Sequence, residues 1–283
     1  MASSVLRYTA FPATGPDGGN PAGVVLDASG LSGADMLAIA AEVGYSETAF
    51  VLPGDGPRSF ALRYFSPVAE VGFCGHATIA TAVALAERDG PGQLSFTIGP
   101  GRLGVRTARD GAGAITATLT SVPTRTRAAT EPELCRALDA LHWTPADLDP
   151  RYPPHVSYAG NDHLVLAVRS RATLAALDYD YDGLAAVMAD AGWTTVHVVW
   201  AEAPLLFHAR DPFPPGGVRE DPATGAAAAA FGGYLRELGL VPVPSRVVVR
   251  QGEDLGRSSE LIVDVSAAPT VDVTGRALPI SSP

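Results

Sequence analysis

The sequence predicts an α+β fold of two similar lobes, each a strongly curved mixed β-sheet wrapped around one central, buried helix. Two stretches predict the helices. Residues 65–87 (F-S-P-V-A-E-V-G-F-C-G-H-A-T-I-A-T-A-V-A-L-A-E) and 218–238 (V-R-E-D-P-A-T-G-A-A-A-A-A-F-G-G-Y-L-R-E-L) each run through a glycine-marked helix start into an Ala-rich apolar helix. Both helices are apolar on nearly all sides, whereas a surface helix keeps one polar face. The order of elements predicts the lobes: strands, a small helix, more strands, one buried Ala-rich helix and strands again, once in each half. The division expected is 1–123 for the N-terminal lobe and 124–283 for the C-terminal lobe, with the last strand returning to the first.

In chain order, Val5 to Phe11 alternates apolar and polar residues as a strand does. A loop dense in turn formers, T-G-P-D-G-G-N-P-A-G, leads to a strand beginning at Val24. Leu31 to Val43 carries apolar residues at helical spacing, with Ser32 as N-cap and Gly44 as the stop. Tyr45 to Leu52 is a strand bearing one acid, Glu47, and Phe60 to Phe65 alternates again. After the first buried helix come three short strands, Leu94 to Ile98, Leu103 to Thr107 and Ile115 to Leu119. Val122 to Thr130 lacks periodicity and reads as a linker. Glu131 to Leu141 and Tyr181 to Ala191 are helical. Strands are expected within Pro153 to Val168, Thr195 to Ala201 and Leu205 to Arg210, then Arg246 to Gln251, Leu261 to Val265 and Thr270 to Val273.

Composition excludes several functions. The formal charge is −10 and no basic run occurs, so nucleic acid and anionic membranes are not expected partners. All 20 basic residues are arginine. Without lysine there is no internal Schiff base for pyridoxal phosphate and no Walker P-loop. No G-x-G-x-x-G follows a strand, and the histidines show no metal spacing, so no cofactor and no metal are expected. Cys74 and Cys135 are too few for a disulfide framework and read as thiols in a reducing compartment. With no signal-peptide-like or membrane-spanning stretch, the expected location is the cytoplasm.

The chemistry concentrates at the two helix starts. A buried helix start presents unpaired N–H groups and a partial positive charge. Two such starts facing one another would cradle a small carboxylate. Glu47 lies in an otherwise apolar strand, where desolvation raises a carboxyl toward the range useful for proton transfer. From spacing alone it is equally a strand glutamate facing water. His76, in the first helical turn, is expected neutral. Asp221 precedes Pro222 and reads as the N-cap of the second helix, a structural role compatible with holding a substrate. Thr224, Gly225 and Ala226 offer backbone N–H groups, as do Gly75 and Ala77 at the first helix. Asn20 is as much a turn asparagine as a substrate contact. His163 leans to a structural role. Arg210 is expected at the surface, and Cys74 as a small buried residue.

Five motifs in order, G-G-N-P-A-G-V-V, Y-S-E-T-A-F, F-C-G-H-A-T-I-A-T-A, E-D-P-A-T-G-A-A and R-Q-G-E-D-L-G-R, resemble the phenazine-biosynthesis isomerase family of the diaminopimelate epimerase-like superfamily. The resemblance covers nearly the whole chain. It implies barrel-like lobes around central helices, a homodimer, and cofactor-free acid–base isomerisation of a small cyclic or conjugated amino-acid-like carboxylate, in the manner of dihydro-hydroxyanthranilate. It implies Glu47, His76 and Asp221 as catalytic, and Asn20, Gly75, Ala77, Thr224, Gly225 and Ala226 as substrate-binding. Ala226 stands where the family often has serine. The competing readings are a racemase or epimerase using Cys74, and a non-catalytic binder of small acids.

Overall fold

A computed structural model describes residues 5–99 and 101–281. Contacts divide the chain into two compact units: residues 1–120 with 274–283, and residues 121–273. Among the described residues, no helix is long and apolar enough to cross a membrane.

The first unit contains β1 (Leu6–Ala10), β2 (Asn20–Val25), α1 (Gly33–Val43), β3 (Glu47–Pro53), β4 (Ser59–Phe65), β5 (Glu70–Val71), α2 (Gly75–Asp89), β6 (Gln93–Ile98), β7 (Gly101–Arg109) and β8 (Ile115–Thr120). The second contains β9 (Arg125–Ala128), α3 (Glu131–Ala140), β10 (His155–Tyr158), β11 (Asp162–Ala167), α4 (Arg171–Ala175), α5 (Tyr181–Ala191), β12 (Trp193–Ala203), β13 (Leu206–Pro212), β14 (Glu220–Asp221), α6 (Gly225–Glu237), β15 (Ser245–Gln251) and β16 (Ser259–Val265). The last strand, β17 (Val271–Pro279), belongs to the first unit from Thr274 onward.

In the first unit the strands pair in the cyclic order β1–β2–β3–β4–β6–β7–β8–β17 and back to β1, a closed barrel of eight strands. The β2–β3 and β4–β6 pairs are parallel, whereas β1–β17, β1–β2, β3–β4, β6–β7 and β7–β8 are antiparallel. Closure leaves no sheet edge to protect. The barrel encloses α2, which is buried without a break from His76 to Ala86 and packs on β1, β2, β3, β7 and β8. Alanine makes this possible: it is a strong helix former, and its single methyl lets the backbone fit inside a narrow barrel. The α1 helix covers the outside through Met36 and Ala40 against Val25, Phe50 and Phe65. It is delimited as expected, by a capping box on Ser32 and by Gly44 in the left-handed conformation.

In the second unit the strands run β9–β10–β11–β12–β13–β15–β16. They curve around α6, which packs on β9, β10, β11 and β16 and is buried from Ala227 to Leu235. Two glycines let the surrounding chain approach, the sheet at one and the segment before β9 at the other. A Cβ on Gly232 would stand 2.7 Å from Val263 Cγ1, and one on Gly233 2.4 Å from Thr124 Oγ1. On the other face of the sheet, α3 and α5 close a core with Leu166, Leu184, Met188 and Val198.

Several expectations are corrected. Residues 122–130 are not all linker, because Arg125–Ala128 pairs with β10. Its side chains are mostly exposed and carry no apolar period, so only the partner strand makes it a strand. Asn20 is the first residue of β2 and not a turn residue, held there by pairing with Ala10. The two-residue strands β5 and β14 and the short α4 fall below the length at which periodicity speaks.

Candidate active site

In the first unit three elements converge on one imidazole. Glu47 is the first residue of β3, Asn20 the first of the neighbouring β2, and His76 the second of α2. The parallel register sets Ala22 opposite Glu47, so both strands begin beside the helix start. Glu47 Oε2 stands 3.4 Å from His76 Nε2. Ser46 Oγ is 3.4 Å from the same nitrogen, and Asn20 Nδ2 is 3.2 Å from Nδ1. Asn20 Nδ2 donates to Nδ1 in the tautomer that carries the ring proton on Nε2, toward Glu47. Burial holds the His76 pKa below its ordinary value, opposed by the Glu47 carboxylate and by the Pro21 carbonyl. The ring is therefore neutral near pH 7, as the sequence predicts. The Glu47 side chain keeps 19% of its surface exposed and His76 8%, which makes Glu47 the open face of the pair.

The start of α2 is rigidly held. Tyr64 Oη and Thr78 Oγ1 lie 2.7 Å apart, and Thr78 Oγ1 donates to the Cys74 carbonyl at 2.6 Å. Burial pushes the Tyr64 phenol far above its usual range, so it stays a hydrogen-bonding hydroxyl. The first helical bond, Thr78 N to Cys74 O, leaves the N–H groups of Gly75, His76 and Ala77 beyond the reach of any helical carbonyl. A Cβ on Gly75 would meet nothing nearer than Phe73 Cζ at 4.0 Å, so the glycine leaves open space over the helix start. Cys74 Sγ lies 3.4 Å from His76 Nδ1 and 3.8 Å from Nε2. Although the histidines show no metal spacing in sequence, the fold gathers Glu47, Cys74 and His76 with one ligand atom each within 4.8 Å.

The second unit builds a comparable helix start with different groups. Asp221 is not the N-cap expected: it lies on β14, paired with Asp211 of β13, and Thr224 occupies the cap position. Pro222 is not the first helical residue, since α6 begins at Gly225. Thr224 Oγ1 donates to Asp221 Oδ2 at 2.7 Å. Gln251, which the sequence places in a motif but gives no site role, ties the turn together. Its Nε2 donates to the Asp221 carbonyl at 2.7 Å and to Thr224 Oγ1 at 3.0 Å, while its Oε1 accepts from Thr224 N at 3.1 Å. Its place just before a glycine, in the R-Q-G-E-D-L-G-R motif, was the signal available. That glycine, Gly252, has φ +74° and approaches Pro222 so closely that a Cβ would stand 2.7 Å from its carbonyl oxygen. The N–H groups of Gly225, Ala226 and Ala227 head the helix, with Gly225 and Ala226 half-buried and Ala227 buried.

Other candidates fall elsewhere. Arg210 is not a surface residue: it is buried, donating to both carboxylate oxygens of Glu220 and to the carbonyls of Leu174 and Ala175. It braces the strand that carries Asp221. His163 is fully buried beside Thr195 Oγ1 at 2.8 Å, and burial lowers its pKa to about 4. A second buried pair went unforeseen, His197 Nδ1 with Asp211 Oδ1 at 2.6 Å. Cys135 lies exposed, on α3.

The sequence model of the family described as phenazine biosynthesis-like protein matches residues 8–282. The chain belongs to this family. A trans-2,3-dihydro-3-hydroxyanthranilate isomerase of Pseudomonas chlororaphis is 30% identical over 252 residues, covering 87% of this chain and 85% of that protein. The uncharacterized isomerase YddE of Escherichia coli K12 is 31% identical over 282 residues, covering 94% and 91%. Among solved structures, a phenazine biosynthesis protein of the PhzF family from Bacillus anthracis superposes with a TM-score of 0.85 at 25% identity, covering 98% of this chain and 96% of that one. A hydroxyproline epimerase from Agrobacterium vitis shares the fold with a TM-score of 0.64 at 14% identity, covering 98% and 90%. The chain is thus an isomerase of this family, with an α+β, epimerase-like fold.

Proposed function

We propose that this isomerase shifts a proton on a small cyclic or conjugated carboxylate of amino-acid type, without a cofactor, and that Glu47 carries the proton. The observation that supports this most is the contact of Glu47 with a buried, neutral His76 at a helix start whose N–H groups point away from the helix. Glu47 as carboxylate takes a proton from carbon: a C–H bond breaks, an O–H bond forms, and the electron pair moves into the conjugated system. The Glu47 carboxyl then returns the proton at the far end of that system, so atoms and charge balance within one substrate. The Nε2–H of His76 holds the carboxylate in place and, the ring being kept neutral by burial, does not compete for the proton. Asn20 fixes the tautomer.

Each helix start, Gly75–Ala77 in the first unit and Thr224–Ala226 in the second, is suited by itself to hold an anionic group of a substrate. Asp221 is assigned to a polar group of the substrate, held by Thr224 and Gln251. The relative named for dihydro-hydroxyanthranilate supports a conjugated cyclic substrate. Ala226 offers no hydroxyl there, which favours a substrate lacking the corresponding polar group. The reading extends to a cytoplasmic homodimer working in secondary metabolism, such as antibiotic biosynthesis, carried by the family resemblance.

Turnover in D2O with candidate cyclic amino acids tests the proposal. Glu47→Gln, nearly isosteric, is expected to lower solvent-deuterium exchange by roughly 10²–10⁴-fold with the fold intact. Undiminished exchange would refute the assignment. A second reading, an epimerase with Cys74 as base, is favoured only by the Cys74–His76 contact. Loss of exchange in Cys74→Ala together with full exchange in Glu47→Gln would move the base to the sulfur.

A further inference from the structure

A histidine of the second unit lies between two carboxylates. His208, on β13, is 7% exposed. Its Nδ1 stands 2.5 Å from Glu253 Oε2 and its Nε2 2.6 Å from Glu202 Oε2. A carboxylate only accepts, and a neutral imidazole has one N–H. Both contacts are hydrogen bonds at once only when the ring carries two N–H groups, as the imidazolium. The surroundings suit that charge. Glu202 comes from β12, and Glu253 opens a short turn between β15 and β16. Arg250, beside His208 on β15, reaches Glu202 at 3.8 Å and Glu260 of β16 at 3.9 Å. Arg171 of α4 reaches Asp254 at 2.9 Å and Glu253 at 3.7 Å. Four carboxylates thus meet two arginines, and a positive ring reduces the excess. The Trp200 ring packs against the imidazole with centroids 5.3 Å apart. The His208 hydrogen bond holds the Glu202 carboxyl below its ordinary value, so that side of the bracket keeps its charge into mild acid.

The turn held by Glu253 supports the α6 helix start. Leu255 and Arg257 donate their N–H groups to the Gly252 carbonyl, and Gly256 donates to that of Glu253. Gly252 abuts Pro222, and Gln251 before it holds Thr224 N and the Asp221 carbonyl. We propose that His208 is a positioning residue for this start: as an imidazolium it ties the turn 252–257 to β12 and β13, and through Gly252 and Gln251 it steadies Asp221 and Thr224. Loss of the ring proton loosens the turn. The neutral ring keeps its proton on Nε2, the commoner tautomer in solution, toward Glu202. The bare Nδ1 then meets the Glu253 carboxylate, acceptor against acceptor. Arg171 still holds Asp254, so the turn stays in place but opens more often. The bracket is therefore complete at acidic pH and is lost as the pH rises through the titration of the ring. The tie rests on geometry within one unit; its bearing on catalysis rests in addition on the role proposed for Asp221 and the α6 start.

Nuclear magnetic resonance of the nitrogen-15-labelled protein, without substrate, tests it from about pH 5 to about pH 9. At the acid end both ring nitrogens of His208 are expected to be protonated; a neutral ring there overturns the proposal. Amide exchange of Thr224, Leu255, Gly256 and Arg257, corrected for the intrinsic rate, is expected to rise about tenfold or more as the ring loses its proton, with the same midpoint. Unchanged protection across that titration overturns it. His208→Gln, uncharged at every pH, is expected to exchange at the faster rate throughout, and protection equal to that of the unaltered protein at acidic pH overturns the proposal. Glu253→Gln, nearly isosteric, separates the latch from simple packing. Its side-chain amide donates to the bare Nδ1, so a neutral ring satisfies both neighbours and the pH dependence of the four amides is expected to disappear. A dependence that survives in Glu253→Gln overturns the role of His208. Since no turnover is measured, these outcomes leave the assignment of Glu47 to its own test.

Discussion

Glu47 Oε2 and His76 Nε2 meet at 3.4 Å although 29 positions separate them in sequence, one opening a strand and the other a helix inside the same barrel. The pair joins an acid with an open face to a base that burial keeps uncharged. His76→Ala removes the ring whose contact steadies the carboxylate. The 3.4 Å contact tightens into a hydrogen bond only with substrate bound, and such a bond to a charged group is worth about 1.5–3 kcal/mol, so kcat/KM is expected to fall about tenfold to a hundredfold. That loss should be smaller than in Glu47→Gln; the two variants assayed side by side for deuterium exchange rank them. Equal or greater loss in His76→Ala would make the imidazole the proton carrier.

Gln251 satisfies three groups of the α6 turn at once: the Asp221 carbonyl, Thr224 Oγ1 and Thr224 N. Gln251→Ala removes the acceptor of the buried Thr224 N–H, at about 1–3 kcal/mol, and a donor to the Asp221 carbonyl. Gln251→Glu keeps the acceptor for Thr224 N and loses the donor to the Asp221 carbonyl. Urea denaturation is expected to show both variants destabilised, the alanine variant by about 2 kcal/mol or more. A change below about 0.5 kcal/mol in Gln251→Ala would show that the turn holds without it.

Gly232 lies where α6 touches the sheet, with space for no Cβ between its backbone and Val263 and Val271. Gly232→Ala gains helix propensity of about 1 kcal/mol and loses about 1–3 kcal/mol to overpacking. Net destabilisation is expected, and Gly232→Val should be worse. Paired with Val263→Ala, the alanine variant should recover part of the loss, because the relief and the clash share one contact. A double-mutant cycle measures that recovery, and strict additivity would contradict it.

His163 gives stability a pH dependence. Its pKa falls from 6.5 unfolded to about 4 folded through burial. Between those values the unfolded chain binds more protons, so stability rises with pH across that window. The contribution is complete above about pH 6.5 and is lost as the pH drops toward 4, a span of about 3 kcal/mol. His163→Gln, which does not titrate, is expected to flatten the curve between pH 4 and 6.5. Denaturant midpoints across that range check it, and an unchanged slope would assign the dependence to other groups.

Much of the fold is legible in the sequence wherever a local rule operates. The capping box at Ser32, the left-handed stop at Gly44 and the boundaries of Tyr181–Ala191 follow from nearest neighbours along one helix. The uniform burial of α2 and α6 follows from their lack of any polar face. Where a neighbour distant in sequence decides, the sequence is silent. Arg125–Ala128 is a strand because β10 lies beside it. Asp221 is drawn out of the cap position by its ladder with Asp211, and Arg210 is drawn inside by Glu220.

The same division runs through the site. The amino acids alone fixed which chemistry is available: one acid in an apolar strand, one histidine and several glycines at helix starts, and no lysine for a Schiff base. Only tertiary structure decided which of these groups touch. It set Asn20 and Glu47 on His76, brought Cys74 into the same cluster, and placed Gln251 under Asp221 and Thr224. The reason is physical: propensity and periodicity act within a few residues, whereas contacts among side chains on different strands are set by sheet register and barrel closure, which depend on the whole unit at once.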